Sequence, residues 1–218
     1  MNKTYRVIFS AARGALMVVN ELTSSVQKKG ASAIVTAAAL TLTSTALMAG
    51  TTLVADEGQN VDIIIEVPDK NGHGVEANAG EIKTIGSEQS QITISATGKT
   101  GIAAYSEGYL TILGQNITLS SPNKNGKATQ AAKGGQLTVG SEATEKTILS
   151  SNNVGVYATQ ENTGVKVNGK DIDITSSASH GVFASSGANV TVGSENTSTL
   201  TIAGTTAIWA QRTSNDKP

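Results

Sequence analysis

Among the acidic and histidine residues of this sequence, four stand out as candidates for acid–base or metal chemistry. Asp171 and Asp173 lie two residues apart in one alternating segment, so both carboxylates are expected on the same side of a strand. Carbohydrate-cleaving enzymes use clustered carboxylates, but a solvated pair is the simpler interpretation here. His73 and His180 each precede a similar segment, and we interpret them as solvated turn residues about four repeats apart, too far to share a metal. The sequence therefore predicts no catalytic residue, no metal site and no cofactor.

The segments that position these residues form an internal repeat. Similar openings begin at residues 74 (GVEA), 101 (GIAA), 155 (GVYA), 181 (GVFA) and 207 (AIWA), with a divergent copy at 126 (GKATQAA). Successive openings are 27, 25, 29, 26 and 26 residues apart. A nearly fixed period of this length is the signature of a solenoid or a related array.

Each repeat contains three short segments in which apolar and polar residues alternate, separated by Gly, Ser and Asn turns. Alternation with period two predicts strands, and three strands per ~26 residues describe one coil of a parallel β-helix. The predicted fold class is all-β: a right-handed parallel β-helix (solenoid) of about five to six coils. A sandwich or barrel is the competing interpretation, but hairpin turns of the Asn-Gly type are few.

One position of the repeat carries large aromatic residues. The third residue of the opening segment is Glu76 in the first repeat, which marks the position as outward, and Ala103 in the second. The later repeats place aromatic residues there: Tyr157, Phe183 and Trp209. Stacked about 4.8 Å apart, these would form an exposed aromatic ladder that contacts sugars or partner side chains. The alternative is that they are covered, or stack only on each other.

A second regularity lies in the turns after the second strand of each coil. Coils one, three and five carry longer polar loops there, GSEQSQ at 86–91, GSEATEK at 140–146 and GSENTST at 193–199. Coils two and four have the shorter GQN and GKD. This alternation indicates either duplication of a two-coil unit or a row of loops that face a ligand.

The charge distribution indicates export. Residues 1–55 carry five Lys and Arg against one acidic residue, whereas residues 56–218 carry eleven against sixteen. A positive leader with an apolar stretch, ahead of an acidic body, is typical of a secreted protein, and the balance argues against nucleic-acid binding. Candidate cleavage sites follow Ala49 and Ala55. Cysteine is absent, so no disulfide framework supports the fold.

About 25 residues precede the part of the leader that would suffice for secretion. This stretch resembles the extended signal peptide region of Gram-negative type V secretion proteins. The residues that carry the resemblance are Asn2, Lys3, Tyr5, Arg6, Val7, Ile8, Arg13, Gly14, Glu21 and Leu22. The family usually has Trp-Asn where this chain has Phe9-Ser10. The resemblance implies an autotransporter whose β-helical passenger acts in adhesion or aggregation at the cell surface.

The resemblance also implies a route and partners. The chain would pass the inner-membrane secretion machinery and the periplasm, then reach the cell surface, outer membrane or extracellular space through an outer-membrane barrel, its own or separate. Host or bacterial surface ligands are the expected binding partners. A β-helical carbohydrate-active enzyme and a truncated, non-functional remnant are the alternative hypotheses.

The sequence divides into four expected segments. They are an extended signal region (1–25), a signal peptide with its cleavage site (26–55), an N-terminal cap strand (56–73) and the β-helix passenger (74–218). The first two are expected to be helical or disordered. Because the repeat stops within a sixth coil, the passenger is expected to be truncated.

Overall fold

The computed structural model describes residues 5–10, 15–20, 39–43, 62–68 and 72–211. Two strands near the N-terminus, β1 (Tyr5–Ser10) and β2 (Ala15–Asn20), pair antiparallel. The other strands form three parallel sheets, and from β4 onward successive strands along the chain belong to the three sheets in turn. The described residues include no helix, and thus none long and apolar enough to span a membrane.

Sheet 1 has seven strands and lies along one side of the solenoid. In chain order they are β3 (Ala39–Thr43), β4 (Asp62–Val67), β7 (Gln91–Ala96), β10 (Asn116–Ser121), β13 (Lys146–Ser151), β16 (Asp171–Ser176) and β19 (Thr199–Ala203). Sheet 2 has six strands: β5 (His73–Ala77), β8 (Ile102–Ser106), β11 (Lys127–Ala131), β14 (Val154–Thr159), β17 (His180–Ser185) and β20 (Thr206–Gln211). Sheet 3 has five: β6 (Ile82–Ile85), β9 (Tyr109–Ile112), β12 (Gln136–Val139), β15 (Gly164–Val167) and β18 (Asn189–Val192).

One strand from each sheet makes one coil, so β4, β5 and β6 form the first coil and β16, β17 and β18 the fifth. Strands β19 and β20 begin a sixth. The predicted parallel β-solenoid of three-stranded coils is therefore confirmed, while its right-handedness stays a prediction.

The leader differs from its expected structure. A helical or disordered segment was expected over residues 1–55, but the described parts of it are β1, β2 and β3. Strand β3 pairs with β4 in parallel, with Ala39 opposite Asp62. These segments contain β-branched or aromatic residues (YRVIFS, ALMVVN and ALTLT), and such residues are enriched in strands.

The core is a column of aliphatic side chains along the solenoid axis. On sheet 1 the inward positions alternate with outward polar ones, so that Ile94, Leu119, Leu149 and Ile174 are each 0% exposed. In parallel register each residue stacks on its counterpart in the next coil. Because every coil covers the apolar residues of its neighbours, the coils stabilise one another rather than folding singly.

The register corrects the predicted alignment of the second and third repeats. Val75 lies opposite Ala104 and Glu76 opposite Tyr105, so the second repeat begins two residues later than Gly101. The third repeat is shifted in the same way from Gly126, because β11 pairs with both β8 and β14. Those two glycines lie in the turns before the strands instead. The outward partner of Glu76 is therefore Tyr105, and the predicted outward residue Ala103 is fully buried.

A row of small residues explains the glycine in the repeat. A Cβ added to Gly155 would lie 2.5 Å from Ile174 Cγ2, and one added to Gly181 would lie 2.7 Å from Ile202 Cγ2. A Cβ on Gly74 would overlap Ile94 Cγ2. Sheets 1 and 2 meet so closely at this corner that only glycine or alanine fits, as at Ala103 and the equivalent positions of other coils.

Candidate interaction surface

The outer face of sheet 2 carries two rows of side chains. One row comes from the residue just before Gly74 and its equivalents in the other coils, and the second row comes from the residue three positions later. The first row is His73, Ile102, Lys127, Val154, His180 and Thr206. The second row is Glu76, Tyr105, Gln130, Tyr157, Phe183 and Trp209. Between the rows two consecutive residues face the core, as Gly74 and Val75 do, so neither row belongs to the inner cluster. Ile102 and Val154 of the first row are nevertheless buried, at 6% and 4% exposure.

Coils one to three form the polar half of this face. Lys133 Nζ lies 2.8 Å from a carboxylate oxygen of Glu107, and the Tyr105 hydroxyl donates to the same oxygen. The His73 ring lies on the Tyr105 ring, with 4.6 Å between the centroids. The Glu107 carboxylate of the polar half is thus paired with Lys133 and Tyr105.

The pKa values follow from these contacts. The hydrogen bond from Lys133, assisted by that from Tyr105, holds the pKa of Glu107 below its usual value. Burial, together with the Glu107 carboxylate, raises the pKa of Tyr105. Burial lowers the pKa of His73, against the opposing effect of Glu76. At neutral pH the glutamate is therefore ionised, and the histidine and tyrosine are neutral.

Coils four to six form the aromatic half, where neither row contains Asp, Glu, Lys or Arg. Tyr157 and Phe183 lie on paired strands and stack with centroids 5.1 Å apart and planes 4° apart. His180 lies 5.4 Å from the Phe183 centroid and 5.0 Å from that of Trp209. The stacked rings cover each other's faces, and Trp209 remains 44% exposed.

One cation joins the two halves. Lys127 places its ammonium 5.1 Å from the centroid of the Tyr157 ring. Burial lowers the pKa of this lysine, and the ring provides a favourable electrostatic contact in place of water. Lys127 of the polar half thus contacts Tyr157, the first ring of the aromatic half.

The two histidines were predicted as solvated turn residues, and this interpretation is wrong. His73 and His180 begin strands β5 and β17, are half-buried and stack on aromatic rings. Their placement in coils one and five agrees with the expected separation of about four coils. The error arose because the residues before each glycine were assigned to a turn, whereas the strand starts one residue earlier.

The two aspartates do lie on the same outer side of β16, with Asp171 exposed and Asp173 half-buried. Within the part of the chain that the structure describes, no group of three His, Cys, Asp or Glu side chains is arranged to hold a metal ion.

The structure describes only four of the predicted leader residues. Tyr5, Arg6, Val7 and Ile8 fall in β1. The others lie outside the described residues: Asn2, Lys3, Arg13, Gly14, Glu21, Leu22 and the cleavage candidates Ala49 and Ala55.

The longer loops of coils one, three and five share one local structure. In each, the backbone N–H of the serine after the glycine donates to a hydroxyl three residues later; Ser141 N and Thr144 Oγ1 are 2.9 Å apart. Neighbouring long loops also contact each other across the shorter turns. Ser141 Oγ lies 3.1 Å from Glu88 Oε1, and Asn196 Nδ2 lies 3.3 Å from Glu142 Oε2.

Comparison with known proteins identifies the leader. Residues 1–50 match the family described as Extended Signal Peptide of Type V secretion system. The comparisons with curated proteins and with solved structures each give no significant match.

The chain therefore begins with a segment that matches the extended signal peptide of type V secretion, and a parallel β-solenoid follows this segment. This signal directs export through the periplasm to the cell surface or extracellular space and implies an outer-membrane translocation route. The combination of leader and solenoid supports an autotransporter passenger.

Proposed function

We propose that this chain is a non-enzymatic passenger that acts in cell-surface adhesion or aggregation through the outer face of sheet 2. The observation that carries the proposal is the aromatic half, where Tyr157, Phe183, Trp209 and His180 form one continuous cluster of rings and neither row contains Asp, Glu, Lys or Arg. Aromatic side chains combine large contact area with few rotatable bonds, which suits a binding surface.

The orientation of the rings favours one kind of contact. Because Tyr157 and Phe183 cover each other's faces, they present ring edges to a partner. Trp209 has no described ring beyond it in the row and is the most exposed member. We therefore expect Trp209 to make the central contact with host or bacterial surface ligands, and the other rings to hold it in place. Inner-membrane secretion machinery and an outer-membrane barrel, its own or separate, are the partners proposed for export.

The alternative of a carbohydrate-active enzyme has less support. Asp171 and Asp173 lie on sheet 1, and their strand neighbours opposite are Lys146 and Ile148 on one side and threonines on the other. No third carboxylate is paired with them on the adjoining strands. The chemistry of retaining or inverting hydrolysis requires two carboxyl groups placed on either side of a glycosidic bond.

The test is an adhesion assay on cells that export the full chain. The triple variant with Tyr157→Ser, Phe183→Ser and Trp209→Ser is expected to reduce cell settling and attachment to cultured epithelial cells several-fold. Trp209→Ser alone should give most of that loss without disturbing the fold. The matched control is Tyr109→Ser, because Tyr109 is 58% exposed but lies on sheet 3. Unchanged adhesion by a surface-displayed Trp209→Ser variant with a wild-type circular dichroism spectrum would contradict the proposal.

A further inference from the structure

Two neighbouring turns between sheets 1 and 2 each carry a lysine that the function proposed above does not use. Residues 97–101 of coil two have the sequence TGKTG, and residues 122–126 of coil three have the sequence PNKNG. Both turns have the same length and join strands that are paired in register, so Lys99 and Lys124 are equivalent residues. Because neighbouring strands are about 4.8 Å apart, Lys124 stacks on Lys99.

Hydrogen bonds hold these two turns in place. Within each turn a glycine N–H donates to the carbonyl three residues earlier, at 2.9 Å in coil two and at 2.7 Å in coil three. The side-chain amide of Asn123 in coil three also donates to the Gly98 carbonyl of coil two at 2.7 Å. The two lysines are therefore carried by an ordered backbone, and both side chains are exposed.

A third lysine follows directly after the second turn. Lys127 is the first residue of β11, is half-buried, and places its ammonium 5.1 Å from the centroid of the Tyr157 ring. The same corner of coil four is shorter, with only Asn152 and Asn153 between the paired strands. We call Lys99, Lys124 and Lys127 the basic corner; it lies beside the outer face of sheet 2.

The basic corner has no acidic partner among the described residues. The ion pairs in that part of the chain belong to other lysines: Lys83 with Glu81, Lys133 with Glu107 and Lys170 with Glu145. From coil two to coil five, the turns between sheets 1 and 2 contain no Asp or Glu. Like charges on directly opposite residues repel each other, so a bound anion would relieve this repulsion.

The surroundings of these lysines indicate the chemistry of the ligand. A lysine ammonium is a compact point charge with three donors, which suits a carboxylate or a sulfate group. The Asn and Thr side chains of the turns are of the types that hydrogen-bond to hydroxyl groups, and the Tyr157 ring offers apolar surface next to Lys127. An acidic sugar combines anionic groups, hydroxyl groups and apolar C–H groups in one ligand.

A nucleic acid fits the same surface less well. Residues 56–218 carry eleven Lys and Arg against sixteen Asp and Glu, and this balance opposes a long phosphate backbone. Three lysines within two coils match a few anionic groups on a polymer that is otherwise uncharged over most of its length.

We propose that the basic corner binds carboxylate or sulfate groups of an acidic polysaccharide, with Tyr157 against the adjoining sugar. This inference rests on the proposed function, because it takes the ligand of the outer face of sheet 2 to be such a polysaccharide. Anion recognition then lies in coils two and three, and contact with the sugar rings begins in coil four.

The test measures binding of fluorescently labelled heparin, a sulfated polysaccharide, to cells that display the full chain. The triple variant with Lys99→Gln, Lys124→Gln and Lys127→Gln should weaken heparin binding about ten-fold, since ion pairs at a surface each contribute a few-fold. Wild-type binding should also weaken as the salt concentration rises, and labelled dextran, which is uncharged, should not bind.

Two further variants serve as controls. Replacing three exposed lysines elsewhere with glutamine, Lys146, Lys166 and Lys170, makes the same change of charge and should leave heparin binding unchanged. The double variant with Lys99→Gln and Lys124→Gln alters exposed turn residues alone and should still weaken binding several-fold. This variant keeps the test decisive if Lys127→Gln disturbs strand β11.

Four results would overturn the inference: a wild type that does not bind heparin, full binding by the double and triple variants, an equal loss in the control variant, or tighter lysine-dependent binding of a DNA duplex. Failure of the proposed function gives a different result. In that case the aromatic triple variant would keep full adhesion to epithelial cells, while heparin binding would still depend on the lysines. Adhesion that is lost in the aromatic variant but is unaffected by free heparin and by the lysine substitutions would contradict this inference alone.

Discussion

The polar and aromatic halves of sheet 2 share one backbone structure, but their outer side chains make different kinds of contact. In the polar half, Glu107 accepts from both Lys133 and Tyr105, so this carboxylate is paired on the protein itself. In the aromatic half, the rings of Tyr157 and Phe183 stack and leave Trp209 partly exposed. The inner residues of the same strands are similar in both halves: a glycine or alanine is followed by valine, alanine, threonine or isoleucine. The interior therefore fixes the coil, and the outer rows are free to differ.

The largest loss of stability is expected from substituting the inner glycines. It tests whether the interior is equivalent in the two halves. Gly74→Val and Gly155→Val each introduce side-chain atoms where a Cβ alone already meets an isoleucine of sheet 1. Both should lower the free energy of unfolding by about 1–3 kcal/mol or more, measured by urea denaturation. Gly164→Val is the control, because its new Cβ meets the flexible Gln136 side chain. A large effect in one half only would show that the interiors differ.

An intermediate effect is expected from removing an outer side chain. Phe183→Ala removes a ring that stacks on Tyr157 and contacts His180, and should cost about 1–3 kcal/mol. Gln130→Ala, at the equivalent position of coil three, should change stability by less than about 0.5 kcal/mol, because Gln130 Oε1 has no hydrogen-bond partner. Equal shifts of the two denaturation midpoints would contradict the assignment of stacking energy to the aromatic half.

The smallest effect is expected in the pH dependence of stability, to which His73 of the polar half contributes. Burial lowers the pKa of His73 from 6.5, so the folded state binds fewer protons at this site than the unfolded state. This contribution to stability is complete above about pH 6.5 and is lost as the pH falls toward the folded pKa. The wild type should therefore lose more stability than His73→Gln between about pH 7.5 and pH 5. Identical pH dependence in urea titrations of the two proteins would refute this role for His73.

The sequence allowed the coil to be predicted because alternation is local. The apolar residues of GVYA could be assigned to the inside, and Val156 and Ala158 are indeed 0% exposed, with Tyr157 outside. The alignment of the second repeat could not be predicted, because glycine occurs in two structural positions in this chain, within a strand and in the turn before one. Gly155 lies inside a strand where no Cβ fits, whereas Gly101 lies in a turn next to Ala96, and residue type alone does not distinguish them.

The residues of greatest interest were harder to predict. Tyr105 was missed as a member of the outer row because the register was shifted by two residues. Lys83 occurs in an alternating segment, where a lysine indicates the solvent side; its inward orientation depends on Glu81 and the Glu76 carbonyl. One signal was available: Ile82 and Ile85 differ by three positions, so they cannot both follow one alternation, and Ile82 is 78% exposed.

The contacts between the long loops have a consequence for how such a chain can lengthen. Ser141 reaches Glu88, 53 residues earlier, and Asn196 reaches Glu142, 54 residues earlier. Insertion or deletion of a single coil would set a long loop beside another long loop, or separate two loops by two short turns, and in both cases these contacts would be lost. A chain that keeps these contacts between the long loops can therefore gain or lose coils only in pairs. The unit of duplication or deletion is then two coils.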